Sequence, residues 1–179
     1  WLYNHLLEQR KRAWEERQES ISLYKQEATF SALKAERPSL KAVHSQVLQN
    51  VAVRVDLAMQ AFFRRVKAGE QPGYPRFRGR GWYDSFCYPQ SGFSPQDGAI
   101  FLSKIGVVKA VIHRPLEGKV KTCCVKRAST GKWYITFSCE DVPADVVPDG
   151  DVAVGVDVGL DHFATLSTGE ATLCPKFFR

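Results

Sequence analysis

Two stretches of this 179-residue sequence gather charged and aromatic side chains in patterns suited to binding or catalysis. The first is Tyr74-Pro75-Arg76-Phe77-Arg78-Gly79-Arg80-Gly81-Trp82-Tyr83, which interleaves three arginines with aromatics and glycines. Guanidinium groups fork onto phosphates, and aromatic faces stack on unpaired bases for ~1 to 3 kcal/mol each, so the segment reads as a nucleic-acid contact. The plainer reading of the same residues is a Pro/Gly-broken loop whose aromatics plug a core while its arginines face water. The second stretch is Gly155-Val156-Asp157-Val158-Gly159, which places a carboxylate at the end of an apolar, buried strand. Such an aspartate can face a metal ion without crowding. Two-metal phosphodiester hydrolysis needs several carboxylates holding ions about 4 Å apart, so Asp157 would be one ligand among several. Asp161 reads as a second ligand or, more simply, as an exposed turn residue. His5, His44, His113 and His162 are scattered without ligand spacing and take no catalytic role.

Charge supports a division of labour between these stretches. Residues 60 to 140 hold 14 basic and 5 acidic side chains, whereas residues 141 to 170 hold 7 acidic and no basic ones. A basic platform followed by an acidic segment fits phosphate binding first and metal binding afterwards, within a chain of net charge +6 and pI near 9.1. On the platform, Arg64, Arg65, Lys67, Tyr74, Arg76, Phe77, Arg78, Arg80, Lys104 and Lys121 are the expected nucleic-acid contacts. The five cysteines show no C-x-x-C spacing and read as buried thiols of a reducing compartment. No apolar run approaches the roughly 20 residues needed to cross a bilayer, and no signal-peptide pattern opens the chain, which predicts a soluble, cytoplasmic protein without membrane partners.

The elements that must position these residues follow from periodicity. Tyr3, Leu7, Arg10 and Trp14 form one helical stripe, and a second amphipathic stretch runs from Leu23 through Phe30 and Leu33 to a break at Pro38. The third helix carries Leu48, Val51, Ala52, Val55, Ala58, Phe62, Phe63 and Val66 on its core face, with Ser45 as N-cap and Gly69 just past its end. Short strands follow at residues 85 to 88, 100 to 102, 107 to 112, 120 to 127 and 133 to 139. The last two flank an Ala128-Ser129-Thr130-Gly131 turn, and Trp133, Ile135 and Phe137 point inward. Helices first and strands afterwards predict an α+β chain with a small β-barrel. The expected organisation is a helical segment at 1–69, a β-barrel region at 70–140, a Pro- and Asp-rich linker at 141–151, and the start of a further domain at 152–179. The helical periodicity at Trp1 and the missing initiator Met read as a piece of a longer protein.

Several stretches, in order, resemble the TnpB proteins of insertion sequences, long called OrfB transposases and related to type V CRISPR effectors. They are Tyr3-Asn4-His5-Leu6-Leu7, Ser45-Gln46-Val47-Leu48-Gln49-Asn50, Phe62-Phe63-Arg64-Arg65, Gly73-Tyr74-Pro75-Arg76-Phe77-Arg78, Ser85-Phe86, Lys104-Ile105-Gly106, Gly131-Lys132-Trp133-Tyr134 and Gly155-Val156-Asp157-Val158-Gly159-Leu160. The resemblance implies a three-helix recognition segment, a wedge-type β-barrel and the first strands of a RuvC nuclease domain of ribonuclease-H type. It implies guide RNA and target DNA as partners, cleavage with Mg²⁺, and action in the cytoplasm at the nucleoid. By position Asp157 matches the first RuvC carboxylate, Gln49 lies on the helix facing the short DNA motif, and the loop from Tyr74 to Arg78 lies beside guide RNA. The family's later RuvC Glu and Asp and its paired C-x-x-C Zn²⁺ site lie outside this chain. Where the family has Leu-Pro-Lys, this chain has Leu102-Ser103-Lys104, which predicts a looser strand end. A non-catalytic or decayed module acting as a guide-directed repressor is the alternative. Actin-like ATPases also use a G-x-D-x-G turn, but with Thr or Ser where this chain has Leu160.

Overall fold

The computed structural model describes residues 1–144 and 153–174, and the chain divides into two compact units, Trp1–Pro143 and Ala144–Arg179. The helical and β-strand regions fall in the first unit, while most of the 141–151 stretch lies outside the described residues.

In the first unit, helix α1 (Leu2–Arg17) buries Leu2, Tyr3, Leu6, Leu7, Arg10 and Ala13. The expected stripe is right up to its last member: Ala13 faces the core and Trp14 is 55% exposed. Gln18 adopts a left-handed conformation (φ 52°) and Glu19 N–H reaches back to the Ala13 carbonyl, closing the helix. The second amphipathic stretch is two short helices, α2 (Leu23–Ala28), capped by the Ser22 hydroxyl, and α3 (Phe30–Glu36). Pro38 ends α3 by forcing Arg37 out of the helical region (φ −127°, ψ 86°), and a 3₁₀ turn (Pro38–Ala42) follows.

In helix α4 (Ser45–Lys67) His44 occupies the N-cap position without a side-chain cap bond, so Ser45 is the first helical residue and not the cap. Val47, Leu48, Val51, Ala52, Val55 and Met59 are buried along it, whereas Phe63 and Val66 lie 50% and 47% exposed. The expected core face therefore runs out after four turns, because α1 and α2 cover only the N-terminal part of the longer helix. Within this bundle Arg10 is 8% exposed and paired at two of its nitrogens: Nε donates to Gln26 Oε1 (2.7 Å) and Nη2 to Asp56 Oδ1 (2.8 Å). Gln26 in turn donates to the Leu6 carbonyl at 2.8 Å, so the buried polar groups satisfy one another.

Six strands complete the unit: β1 (Ser85–Tyr88), β2 (Phe93–Gln96), β3 (Ala99–Leu102), β4 (Gly106–Lys109), β5 (Lys119–Arg127) and β6 (Trp133–Glu140). They form two three-stranded antiparallel sheets, β1-β5-β6 and β2-β3-β4. The two sheets share a core of Tyr88, Ile100, Leu102, Cys123 and Val125, completed by Val47 of α4. The small barrel is thus two packed sheets with no ladder joining them among the described residues. Strand β2 escaped the sequence reading because Pro95 lies within it; its partner is β3, and it is an edge, where a missing N–H costs no ladder bond. The expected strand at 107 to 112 stops at Lys109, and Val111 is 94% exposed.

Two further expectations are corrected. Cys87 and Cys124 are not free thiols: antiparallel register places them opposite each other on β1 and β5, and they form a disulfide. Spacing along the chain could not reveal a pairing set by register across 37 residues. Cys123 is the buried thiol, its pKa pushed up to about 11 by burial, and Cys139 and Cys174 are half-buried. Ser103 does not loosen the strand end. Its N–H donates to the Gly92 carbonyl (2.7 Å) and its carbonyl accepts from the Tyr88 hydroxyl (2.8 Å), and the first of these bonds is unavailable to proline.

The second unit contains β7 (Val156–Asp157), β8 (His162–Leu166) and β9 (Ala171–Leu173) as one antiparallel sheet. Its β7–β8 hairpin matches expectation; β9 is an addition. The strand leading to Asp157 was expected to be buried, yet Val154, Val156 and Val158 are 45%, 60% and 68% exposed, because the described part of this unit is a single three-stranded sheet with no second layer of its own. No described helix is long and apolar enough to cross a membrane.

Candidate nucleic-acid interface

Four cations converge on one cleft of the first unit. Arg37 comes from the end of α3, Arg78 and Arg80 from the arginine-rich loop, and Lys104 from the β3–β4 turn, around a cavity of about 740 Å³. Val47, Leu48 and Val51 of α4 and Phe86 of β1 supply apolar lining, and no Asp or Glu lines it. None of the four cations has a salt bridge among the described residues, whereas the cations of α1 at positions 10, 11, 12 and 17 are all paired. Uncompensated charge of one sign in a cleft with apolar walls focuses its field on an anionic ligand.

The loop is held rather than draped. Asn4 of α1 bonds the Arg78 backbone twice, its Nδ2 donating to the Arg78 carbonyl (2.9 Å) and its Oδ1 accepting from the Arg78 N–H (2.8 Å). The Arg78 guanidinium lies 5.8 Å from the Tyr3 ring centre, Arg37 lies 4.5 Å from that of Trp1, and Arg54 lies 5.5 Å from that of Tyr83. Arg54 also ties α4 to β1, donating to the Ser85 carbonyl (3.0 Å), the Ser85 hydroxyl (3.1 Å) and Cys87 Sγ (3.1 Å). Burial raises the Tyr83 pKa despite the neighbouring Arg54, so the phenol remains a hydrogen-bond donor. Lys104 sits at φ 71°, a left-handed conformation that non-glycine residues seldom adopt, in the turn closed by Ile105 N–H to the Leu102 carbonyl.

The sequence-predicted residues divide accordingly. Arg78, Arg80 and Lys104 come together in the cleft. Tyr74 packs edge-on against Phe62 at 5.3 Å, which favours the plainer reading for that ring, while Arg76 and Phe77 are exposed. Arg64 and Lys67 are exposed in the last turn of α4, and Arg65 is half-buried with its Nε hidden and without a partner among the described residues. Gln49 is exposed on α4, three residues beyond Gln46, whose Oε1 accepts from the Ser91 N–H at 2.9 Å. Lys121 stands apart, paired with Glu140 at 2.8 Å. Asn4, Arg37 and Arg54 were missed as site residues. Asn4 lies in a family-like stretch and could have been found there, but nothing local distinguishes Arg37 or Arg54.

Asp157 is exposed on β7 with Thr165 as its partner across the ladder. Among the described residues no three His, Cys, Asp or Glu side chains gather as a metal site, so they do not by themselves fit the Mg²⁺ centre that the resemblance implies.

No family model matches the chain. Two curated proteins are similar to it. "Putative RNA-guided DNA endonuclease InsQ" of Escherichia coli (strain K12) is 37% identical over 131 residues, 73% of this chain and 31% of the relative. "Putative RNA-guided DNA endonuclease" of Streptomyces pristinaespiralis is 32% identical over 184 residues, 99% of this chain and 44% of the relative. The chain thus spans less than half the length of either. Because the alignment to the second runs through all the motifs in order, from Tyr3-Asn4-His5 to Gly155-Val156-Asp157, the chain belongs to the TnpB/OrfB family.

Proposed function

We propose that this chain supplies the RNA- and DNA-holding part of an RNA-guided DNA endonuclease, together with one carboxylate of its nuclease site. The observation that carries the reading is the cleft: four cations without a salt bridge among the described residues, aromatic rings at the same place, and no Asp or Glu in its lining. The names of its relatives point the same way. In this reading the arginine-rich loop contacts guide RNA, exposed Gln49 faces the short DNA motif, and the exposed end of α4 with Arg64 and Lys67 adds phosphate contacts. Asp157 is one ligand of a RuvC-type Mg²⁺ site whose other ligands come from outside the described residues.

Binding of labelled single-stranded RNA by the chain, followed from 50 to 200 mM salt, tests the first part. Release of counterions from several phosphate contacts predicts a loss of affinity of ~10³-fold or more, and a flat response removes the basic-platform argument. The second part is tested in a full-length protein with its guide. Asp157→Ala abolishes cutting and leaves target binding intact, whereas cutting at the wild-type rate removes Asp157 from the nuclease site.

A further inference from the structure

We infer that the cleft bounded by α1, α4 and residues 78–83 receives a single unstacked nucleotide of the bound strand, its base on the aromatic rim and its phosphates on Arg78, Arg80 and Lys104. The inference rests on the nucleic-acid reading above and narrows it to one site and one conformation of the ligand. A volume of about 740 Å³ lies within the ~300 to 1,000 Å³ typical of clefts that enclose a small ligand. Its lining is mixed in the way a nucleotide requires. Val47, Leu48 and Val51 form its buried apolar floor, exposed Tyr83 on the rim suits a flat base, and the cations suit the phosphates on either side of it.

A duplex could not use such a site, because it presents phosphates outward and keeps its bases inside the stack. An unpaired nucleotide can enter without the cost of a few kcal/mol for leaving a helix. The rim pairs rings with charges before any ligand arrives: Trp1 has Arg37 over it and His5 stacked on it at 4.6 Å, Arg78 lies beside the buried Tyr3, and Tyr83, 38% exposed and 5.8 Å from Tyr3, is the ring left open to a base. The two Asn4 hydrogen bonds fix the backbone of Arg78, and the left-handed Lys104 fixes the far side. The backbone of the site is thus set before the ligand binds, which raises affinity at a given contact area, while the exposed Arg80 and Lys104 side chains order on binding.

The test uses the full chain and two photoreactive hexamers, a 4-thiouridine-substituted oligo(U) and its 4-thiothymidine DNA counterpart, with crosslinked peptides read by mass spectrometry. Crosslinks at Tyr83 or Trp1, the exposed rings of the rim, are expected, and the better-binding hexamer identifies the strand as RNA or DNA. Tyr83→Leu removes a stacking face and should weaken hexamer binding ~5- to 100-fold with the salt dependence unchanged. Arg80→Gln, at an exposed position, should keep the wild-type melting temperature and lower the slope of log affinity against log salt by about one. Lys126→Gln, exposed on β5 outside the cleft, should leave the crosslinking pattern unchanged. Salt-sensitive hexamer binding with crosslinks only outside the cleft, and wild-type affinity for Tyr83→Leu, would overturn the inference while sparing the broader reading. Salt-insensitive or absent binding of both hexamers would overturn both.

Discussion

All buried hydrophobic side chains among the described residues belong to Trp1–Pro143, where one cluster joins α1 to α4 and another joins Val47 to both sheets. In residues 153–174 no side chain is buried, and Leu160, Phe163 and Leu173 are 94%, 54% and 72% exposed. The two candidate chemistries are distributed across that divide. The cleft cations are carried by a packed scaffold that fixes them before a ligand binds. Asp157 is carried by a three-stranded sheet that has no core of its own among the described residues, and sheets of that size need a buried face to be stable. Holding phosphates can therefore be argued from this chain's own geometry, whereas metal chemistry cannot.

The largest effect that sharpens this contrast is expected from truncating the helical core. Leu6 is 0% exposed, so Leu6→Ala should cost ~2 to 5 kcal/mol, and Leu160→Ala should stay within about 0.5 kcal/mol. Urea unfolding followed by tryptophan fluorescence measures the first, since Trp1, Trp14, Trp82 and Trp133 all lie in the first unit. Unfolding followed by amide exchange of β7–β9 measures the second. Comparable losses would break the comparison.

Next comes the buried polar network. Arg10→Ala strands the Gln26 amide oxygen and the Asp56 carboxylate and should cost ~3 kcal/mol, while Lys121→Ala, whose partner Glu140 is 59% exposed, should cost under ~1 kcal/mol. A thermal melt showing equal shifts would mean that Arg10 is not the linchpin its contacts describe.

Gly92 tests the wall behind the cleft. It has φ 90°, and a Cβ there would lie 2.7 Å from His44 Nε2, so Gly92→Ala should cost ~1 to 3 kcal/mol by the same melt. A wild-type melting temperature would show that the His44 ring moves aside freely.

The smallest effect concerns Cys123. Its pKa of about 11 lies above the ordinary value near 9, so the folded state retains a proton that the unfolded chain releases. Stability should be unaffected below pH 9 and should decline as pH rises from 9 through 11. At pH 8 the Cys123 thiolate fraction is ~100-fold below that of a free cysteine, and alkylation with iodoacetamide should lag behind that of Cys139 accordingly. Equal rates would show that the sheet core is open to reagent.

Elements with local signals are legible in the amino-acid order alone. The periods of α1 and α4, the stop at Pro38, the Ala128 to Gly131 hairpin and the inward alternation of Ile135 and Phe137 are written within a few residues of each other, because helix and strand periodicity are short-range properties, whereas Trp133, expected inward with them, is 60% exposed at the strand's start. The ordered motifs that place the chain in its family were legible for the same reason. The pairing of Cys87 with Cys124, the loss of cover over the end of α4 and the cleft itself arise from long-range packing. Arg37, Asn4, Arg78 and Lys104 are separated by up to 100 positions in the chain, and what joins them is register and helix packing, which no local window of sequence contains.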